Sequence, residues 1–287
     1  MNVVHDKDPA MRFLRSTLFN LAFYGFTLIL ALAATPFALI GARIPLRRLF
    51  RFWAGGTLAL TRGLLGARIE IRGRAHMPQG GALIIGNHQS ELDGILMARL
   101  TPELAPVAMA ELERYPFFGP ILRALGFLLV RTEGERGQSA AVAEAARAAV
   151  AEGRQVLIYP EGRLMPVGER APMRSGVWRI YHALQAPAHL VAQDLGRIWP
   201  RREWVKNPGA QAVLEFLPPI PPGLGKEDFM LEVERRLEAA VSALEAEHAA
   251  ACASADSDSG RLARGGESGE PATRPGLPAP AQEMLPR

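Results

Sequence analysis

The stretch Ala82-Leu83-Ile84-Ile85-Gly86-Asn87-His88-Gln89-Ser90-Glu91-Leu92-Asp93 decides how this chain is read. Its first four residues form a short apolar run, the pattern of a buried strand. The polar residues that follow place an imidazole and a carboxylate in the spacing His-x4-Asp. A histidine whose ring nitrogen is held by a carboxylate keeps one tautomer and a raised basicity, which a general base requires. The same residues also fit a capping box, with Ser90 as N-cap and Asp93 reaching back to the Ser90 N–H. On that reading His88 is an ordinary loop histidine. The two readings are partly compatible, because a loop turning into a helix would set Asp93 in the first turn, facing His88.

Further along, Tyr159-Pro160-Glu161-Gly162-Arg163 closes a second apolar run. Around these two segments, short apolar runs alternate with helical stretches. Residues 68–71, 82–85, 106–109, 127–131, 155–159, 189–193 and 212–217 are expected to be strands. Residues 139–152, stopped by Gly153, and residues 175–185 are expected to be helices. Such alternation predicts an α/β domain with helices flanking a sheet. An amphipathic helix is expected over 228–248. The Ser-, Asp-, Gly- and Pro-rich segment beyond it is expected to be disordered. The division expected is 1–66 as a membrane-associated helical segment, 67–250 as the α/β domain and 251–287 as a disordered tail.

The N-terminal expectation rests on charge. No charged residue occurs in residues 16–42, a run long enough to cross a bilayer, which needs about 20 apolar residues. Asn20, Gly25 and Pro36 interrupt it. Arg12 and Arg15 precede it, and Arg43, Arg47, Arg48 and Arg51 follow it. Positive residues on both flanks place both ends at one anionic leaflet surface. A re-entrant or interfacial hairpin, with residues 46–65 as its second arm, fits this better than a single spanning helix, which is the alternative.

The chain of 287 residues has net charge +4. Its pI is about 9.6. Its arginine clusters lie beside apolar segments and not in a stripe with aromatics, so anionic lipid is the expected partner and nucleic acid is not. The one cysteine, Cys252, lies in the polar tail, which argues against a disulfide framework, a thiolate metal site or a catalytic thiol. No His/Asp/Glu grouping has metal-ligand spacing, so no metal is expected. His5, His76, His182, His189 and His248 lack a partnered motif.

With these residues in view, the chain resembles the glycerolipid acyltransferase family, most closely its bacterial 1-acyl-sn-glycerol-3-phosphate acyltransferases. Four blocks carry the resemblance in order. They are Asn87, His88 and Asp93; Glu111-Leu112 with Pro116-Phe117-Phe118-Gly119, Gly126 and Arg131; Tyr159-Pro160-Glu161-Gly162; and Val191-Ala192 with Gly196 and Trp199-Pro200. The chain departs from the pattern at Arg163 and Leu164, where the family often has Thr-Arg, at Met109, where many members have Lys, and at Leu190, where Pro is usual.

The resemblance implies a mixed sheet flanked by helices, an N-terminal apolar hairpin, and acyl transfer from a thioester to a lysolipid hydroxyl. It implies lysophosphatidic acid acylated at sn-2 to phosphatidic acid, at the cytoplasmic face of the cell inner membrane. The implied donor is acyl-CoA or acyl carrier protein, a substrate, with no cofactor. Catalysis would fall to His88 and Asp93. Substrate binding would fall to Asn87, Arg131, Glu161, Gly162 and Arg163, with Arg174 a weaker candidate. Glu161 also reads as a plain turn residue, and each arginine as a solvated charge. The departures keep open another lysolipid acceptor, such as a lyso-ornithine lipid; a non-catalytic lipid-binding protein is the remaining alternative.

Overall fold

The computed structural model describes residues 8–115, 117–131 and 138–264. Two helices open the chain: α1 (Pro9–Leu39) and α2 (Arg43–Leu65). The strands are β1 (Arg68–Arg72), β2 (Ala82–Gly86), β3 (Leu104–Met109), β4 (Leu128–Val130), β5 (Gln155–Ile158), β6 (Ala188–Gln193) and β7 (Gln211–Ile220). Between and after them lie α3 (Glu91–Leu100), α4 (Phe118–Leu125), α5 (Gln138–Ala151), α6 (Gly176–Leu184) and α7 (Lys226–Arg264).

The strands form one seven-stranded sheet in the order β1-β7-β6-β2-β5-β3-β4. Neighbours run parallel from β4 through β6, β7 runs antiparallel to β6, and β1 is parallel to β7. The sheet is therefore mixed. Every residue of the central strand β2 is buried, which explains its uniform apolar composition: a parallel strand is covered on both faces.

Alternate residues of β2 feed two cores. Ile84 points to one face, where α1, α2 and α3 cover the sheet with Phe19, Phe23, Ala54, Leu65, Leu92 and Leu96. Leu83 and Ile85 point to the other, beneath α5, α6 and α7 through Ala146, Val177, Ile180, Phe229 and Val233.

The first two helices form an antiparallel pair joined at residues 40–42, as the sequence suggests. Helix α1 is not interrupted at Asn20, Gly25 or Pro36. Pro36 sits in the last turn, so it forfeits one hydrogen bond, to the Leu32 carbonyl, near the end of the helix. Asn20 is buried and donates through Nδ2 to the Trp204 carbonyl at 2.8 Å. The helix is long and apolar enough to cross a membrane, and most of its apolar window is not covered by protein. Leu21, Tyr24, Leu28, Ile29 and Leu32 are exposed.

The boundary expected at 66 is not a break in packing. Chain contacts group everything through Glu245 into one compact unit, because Phe19, Phe23, Ala54 and Leu65 belong to the sheet's own core. The boundary expected at 251 falls inside α7, which continues to Arg264. Alanine-rich sequence at 249–255 favours helix without needing a core. The remainder of the expected disordered tail, 265–287, lies outside the described residues, as does Pro116.

Candidate active site

Strands β2 and β5 are parallel neighbours, with Ile85 beside Ile158. Their carboxyl ends therefore emerge at one edge of the sheet, and the two sequence motifs emerge with them. This is where open α/β sheets place ligands.

After Gly86 the chain turns through Asn87, His88 and Gln89 and enters α3 with Ser90 as N-cap. Ser90 Oγ accepts from the Leu92 N–H at 3.1 Å. Asp93 is fully buried. Its Oδ2 accepts from the Gln89 N–H at 2.7 Å and the Ser90 N–H at 2.9 Å, and lies 2.9 Å from His88 Nδ1. The capping box and the His–Asp pair are therefore one device. An ionised carboxylate only accepts, so it fixes the proton of the neutral imidazole on Nδ1 and leaves a lone pair on Nε2.

The second motif holds His88 from the other side. Glu161 Oε1 accepts from the His88 N–H at 3.3 Å, and the Met165 N–H donates to the His88 carbonyl at 2.7 Å. Burial pushes the Glu161 carboxyl above its ordinary value, with hydrogen bonds from its own and the His88 N–H opposing. Its Oε2 is buried without a hydrogen-bond partner among the described residues. The Tyr159 ring lies parallel to the His88 ring, with centroids 4.1 Å apart and planes 5° apart. Burial, and then the nearby Asp93, push the Tyr159 hydroxyl well above its usual range.

The remaining candidates divide. Gly162 has φ +64°, and a Cβ there would sit 2.7 Å from Arg174 Nε. Its N–H closes a turn onto the Tyr159 carbonyl at 3.0 Å. That N–H is therefore committed to the turn, and what Gly162 supplies is conformation and room for Arg174. Arg174, the weakest sequence candidate, thus lies against the motif, while Arg163 is exposed at its rim. Arg131 follows β4, which is two strands from β5, or roughly 10 Å along the same edge of the sheet.

Asn87 is turned toward the end of β6. Its Nδ2 donates to the Gln193 carbonyl at 2.7 Å, its Oδ1 accepts from the Gln193 N–H at 2.8 Å, and its carbonyl accepts from Gln193 Nε2 at 2.7 Å. It is buried and clasps the end of β2 to the end of β6. Substrate binding by its side chain is replaced by this structural role, because both amide groups are already satisfied.

Comparison with known proteins finds similar domains and a similar fold. The acyltransferase family model matches residues 68–192, which include His88, Asp93 and Glu161. Residues 68–192 are thus similar to an acyltransferase domain. It is 29% identical to a 1-acyl-sn-glycerol-3-phosphate acyltransferase of Pseudomonas aeruginosa, over 71% of this chain and 80% of that one. It is 25% identical to the human 1-acyl-sn-glycerol-3-phosphate acyltransferase alpha, over 73% of this chain and 75% of that one. Its fold matches the crystal structure of the 1-acyl-sn-glycerophosphate (LPA) acyltransferase PlsC from Thermotoga maritima. The TM-score is 0.67 at 20% identity, covering 82% of this chain and 98% of that one.

The residues to which the sequence alone assigns no role are the ones that support His88. Tyr159 belongs to the second motif but gains a role only because β5 adjoins β2, which the sequence does not reveal. Trp199 is the other. Its carbonyl accepts from Ser90 Oγ at 2.8 Å, and the rings of Phe19 and Phe23 meet it edge-on at 5.2 and 5.0 Å. Lys206 Nζ lies 4.7 Å from the Trp199 ring, and burial draws that ammonium down to about 8.

Proposed function

We propose that this protein transfers a fatty acyl group from a thioester to the sn-2 hydroxyl of lysophosphatidic acid, giving phosphatidic acid. The observation that carries the reading is the 2.9 Å contact of His88 Nδ1 with the buried Asp93. The relatives named as 1-acyl-sn-glycerol-3-phosphate acyltransferases support the acceptor.

In this mechanism His88 Nε2 takes the proton from the lysolipid hydroxyl as its oxygen attacks the thioester carbonyl carbon. The carbon–sulfur bond then breaks, and the departing sulfur receives that proton from the imidazolium. Asp93 stays ionised throughout and stabilises the cationic ring. No covalent enzyme intermediate is needed. Glu161 holds the His88 backbone and presents its second oxygen to the acceptor's glycerol. Arg163 and Arg174, with Arg131 further along the edge, supply guanidinium groups for the phosphate. The donor is acyl-CoA or acyl carrier protein.

The acceptor stays largely in a bilayer, and the hairpin fits that source. Its exposed apolar residues would lie within one leaflet of the cell inner membrane, with the α/β domain on the cytoplasmic face. An open apolar groove between α1, α2 and α4, lined by Leu30, Ala34, Leu46, Phe50, Trp53 and Ile121, adds hydrocarbon-compatible surface.

The test is an assay of the purified protein in detergent with a panel of lysolipids and both donors. Preferred acylation of lysophosphatidate, lost in His88→Ala, is the expected result. Preference for another acceptor would move the substrate assignment; full turnover in His88→Ala would remove the base.

A further inference from the structure

The His88–Asp93 hydrogen bond fixes one ring atom, not the ring. An imidazole held only at Nδ1 can still rock about the line to Oδ2 and swing Nε2 through an arc. The stacked Tyr159 ring, 4.1 Å away and within 5° of parallel, blocks that motion on one face. We propose that Tyr159 is a positioning residue for the acyl-transfer base: its ring sets the plane of His88 so that the Nε2 lone pair meets the acceptor hydroxyl. This inference rests on the function proposed above and adds a residue to it.

A second observation points the same way. Gly86 ends β2 beside the start of the Tyr159 turn. A Cβ at Gly86 would sit 3.1 Å from Tyr159 Cε1 and 3.2 Å from the Val191 carbonyl oxygen. Both contacts are tighter than ordinary packing. No φ in the left-handed region requires glycine here. What the missing side chain provides is room for the Tyr159 ring to lie where it does. Two adjacent strands thus end in a matched set: a glycine that makes space, an aromatic that fills it, and the imidazole stacked on the aromatic. When His88 is protonated during the reaction, its cation sits over a π face, an arrangement that is electrostatically favourable.

A ring that merely fills the core and a ring that aims the base differ in kinetics. Misplacing a reacting atom by about 1 Å costs on the order of 10²-fold in rate without weakening substrate binding. The experiment compares Tyr159→Phe, Tyr159→Leu and Gly86→Ala with the wild type and with His88→Ala. It measures kcat, KM for acceptor and donor, and thermal unfolding.

Tyr159→Phe, which keeps the ring, should retain kcat within about threefold. Tyr159→Leu should lose about 10- to 100-fold in kcat, with both KM values changed less than about threefold. Gly86→Ala, in which the new methyl displaces the ring, should show the same split to a smaller degree, and it supplies the readout if Tyr159→Leu does not fold. Wild-type kcat in a folded Tyr159→Leu or in Gly86→Ala would overturn the proposal. So would a Phe variant as slow as the Leu variant, or KM values that rise in step with the loss of kcat. Residual full activity in His88→Ala would instead overturn the function itself, whatever Tyr159 does.

Discussion

One oxygen of Asp93 serves both His88 Nδ1 and the amino end of the helix that carries Asp93. The distances are 2.9 Å to the ring and 2.7 and 2.9 Å to the Gln89 and Ser90 N–H groups. The base is thus oriented by the same contact that starts α3. Substitutions here act on activity and stability together, and the two must be measured apart.

His88→Ala is expected to lower turnover per folded molecule by about 10²–10⁴-fold, the usual contribution of a general base, with the unfolding midpoint close to wild type. Asp93→Asn should be nearly as damaging, since an amide no longer dictates the tautomer. Asp93→Ala should in addition cost about 0.5–2 kcal/mol through the lost cap. Turnover per folded molecule and denaturant midpoints separate these effects. A destabilised Asp93→Ala with normal turnover would leave only the cap.

Arg163→Ala and Arg174→Ala are each expected to raise KM for lysophosphatidate by roughly tenfold, the scale of a lost hydrogen bond to a charged group. KM for the thioester donor should hardly move. Arg131→Ala, two strands further along the sheet, should have the smaller effect of the three. Equal changes in both KM values would assign these residues to structure.

Asn87→Ala is expected to act on stability first. It leaves the Gln193 N–H and carbonyl without their partners at the buried junction of β2 and β6, a loss of about 1–3 kcal/mol. Urea titration measures it. An unchanged midpoint with a raised acceptor KM would return Asn87 to the substrate.

Lys206 predicts a pH dependence of stability. Burial lowers its value from 10.5 to about 8 in the folded protein. Between those values the unfolded chain binds more protons than the folded one, so this residue's contribution to stability rises from about pH 8 to pH 10.5 and is least favourable below it. The urea midpoint of the wild type, relative to that of Lys206→Met, should climb over that interval. A flat difference would contradict the burial of a charged ammonium.

The hairpin should hold the protein on membranes against high salt and release it in detergent, because apolar burial and not charge retains it. In a Cys252→Ala background, Asp8→Cys and Gly55→Cys should both react with an impermeant thiol reagent from the cytoplasmic side alone. Labelling of the residue-8 site from the opposite side would replace the hairpin with a spanning helix.

Much of the fold was legible because its central strands are parallel and covered on both sides, so β2 appears as an uninterrupted apolar run and β5 and β6 carry the apolar stretches 156–158 and 190–192. The far end of β7 was not legible, because Pro218 and Pro219 look like a strand's end. They are tolerated because the pairing of β7 with β1 stops at Glu215. Helix α4 has no side-chain cap and starts after Phe117 at φ +69°, so no local signal marks its start. In the site, His88 and Asp93 were legible because they lie on one continuous turn. The roles of Asn87 and Tyr159 depend on which strands adjoin β2, and strand order is not written in any local pattern.

The edge-on seating of Phe19 and Phe23 against Trp199 bears on how a water-soluble form could be made. Phe19 is completely enclosed, and Trp199 in turn receives the hydroxyl of the residue that starts α3. Cutting away α1 would unroof that indole and strip the support beneath the histidine. Exchanging the outward-facing Leu21, Leu28, Ile29 and Leu32 for polar side chains would leave the inner stripe in place. Redesign of one face of the helix, not its amputation, is the route by which this molecule could leave the lipid with its chemistry intact.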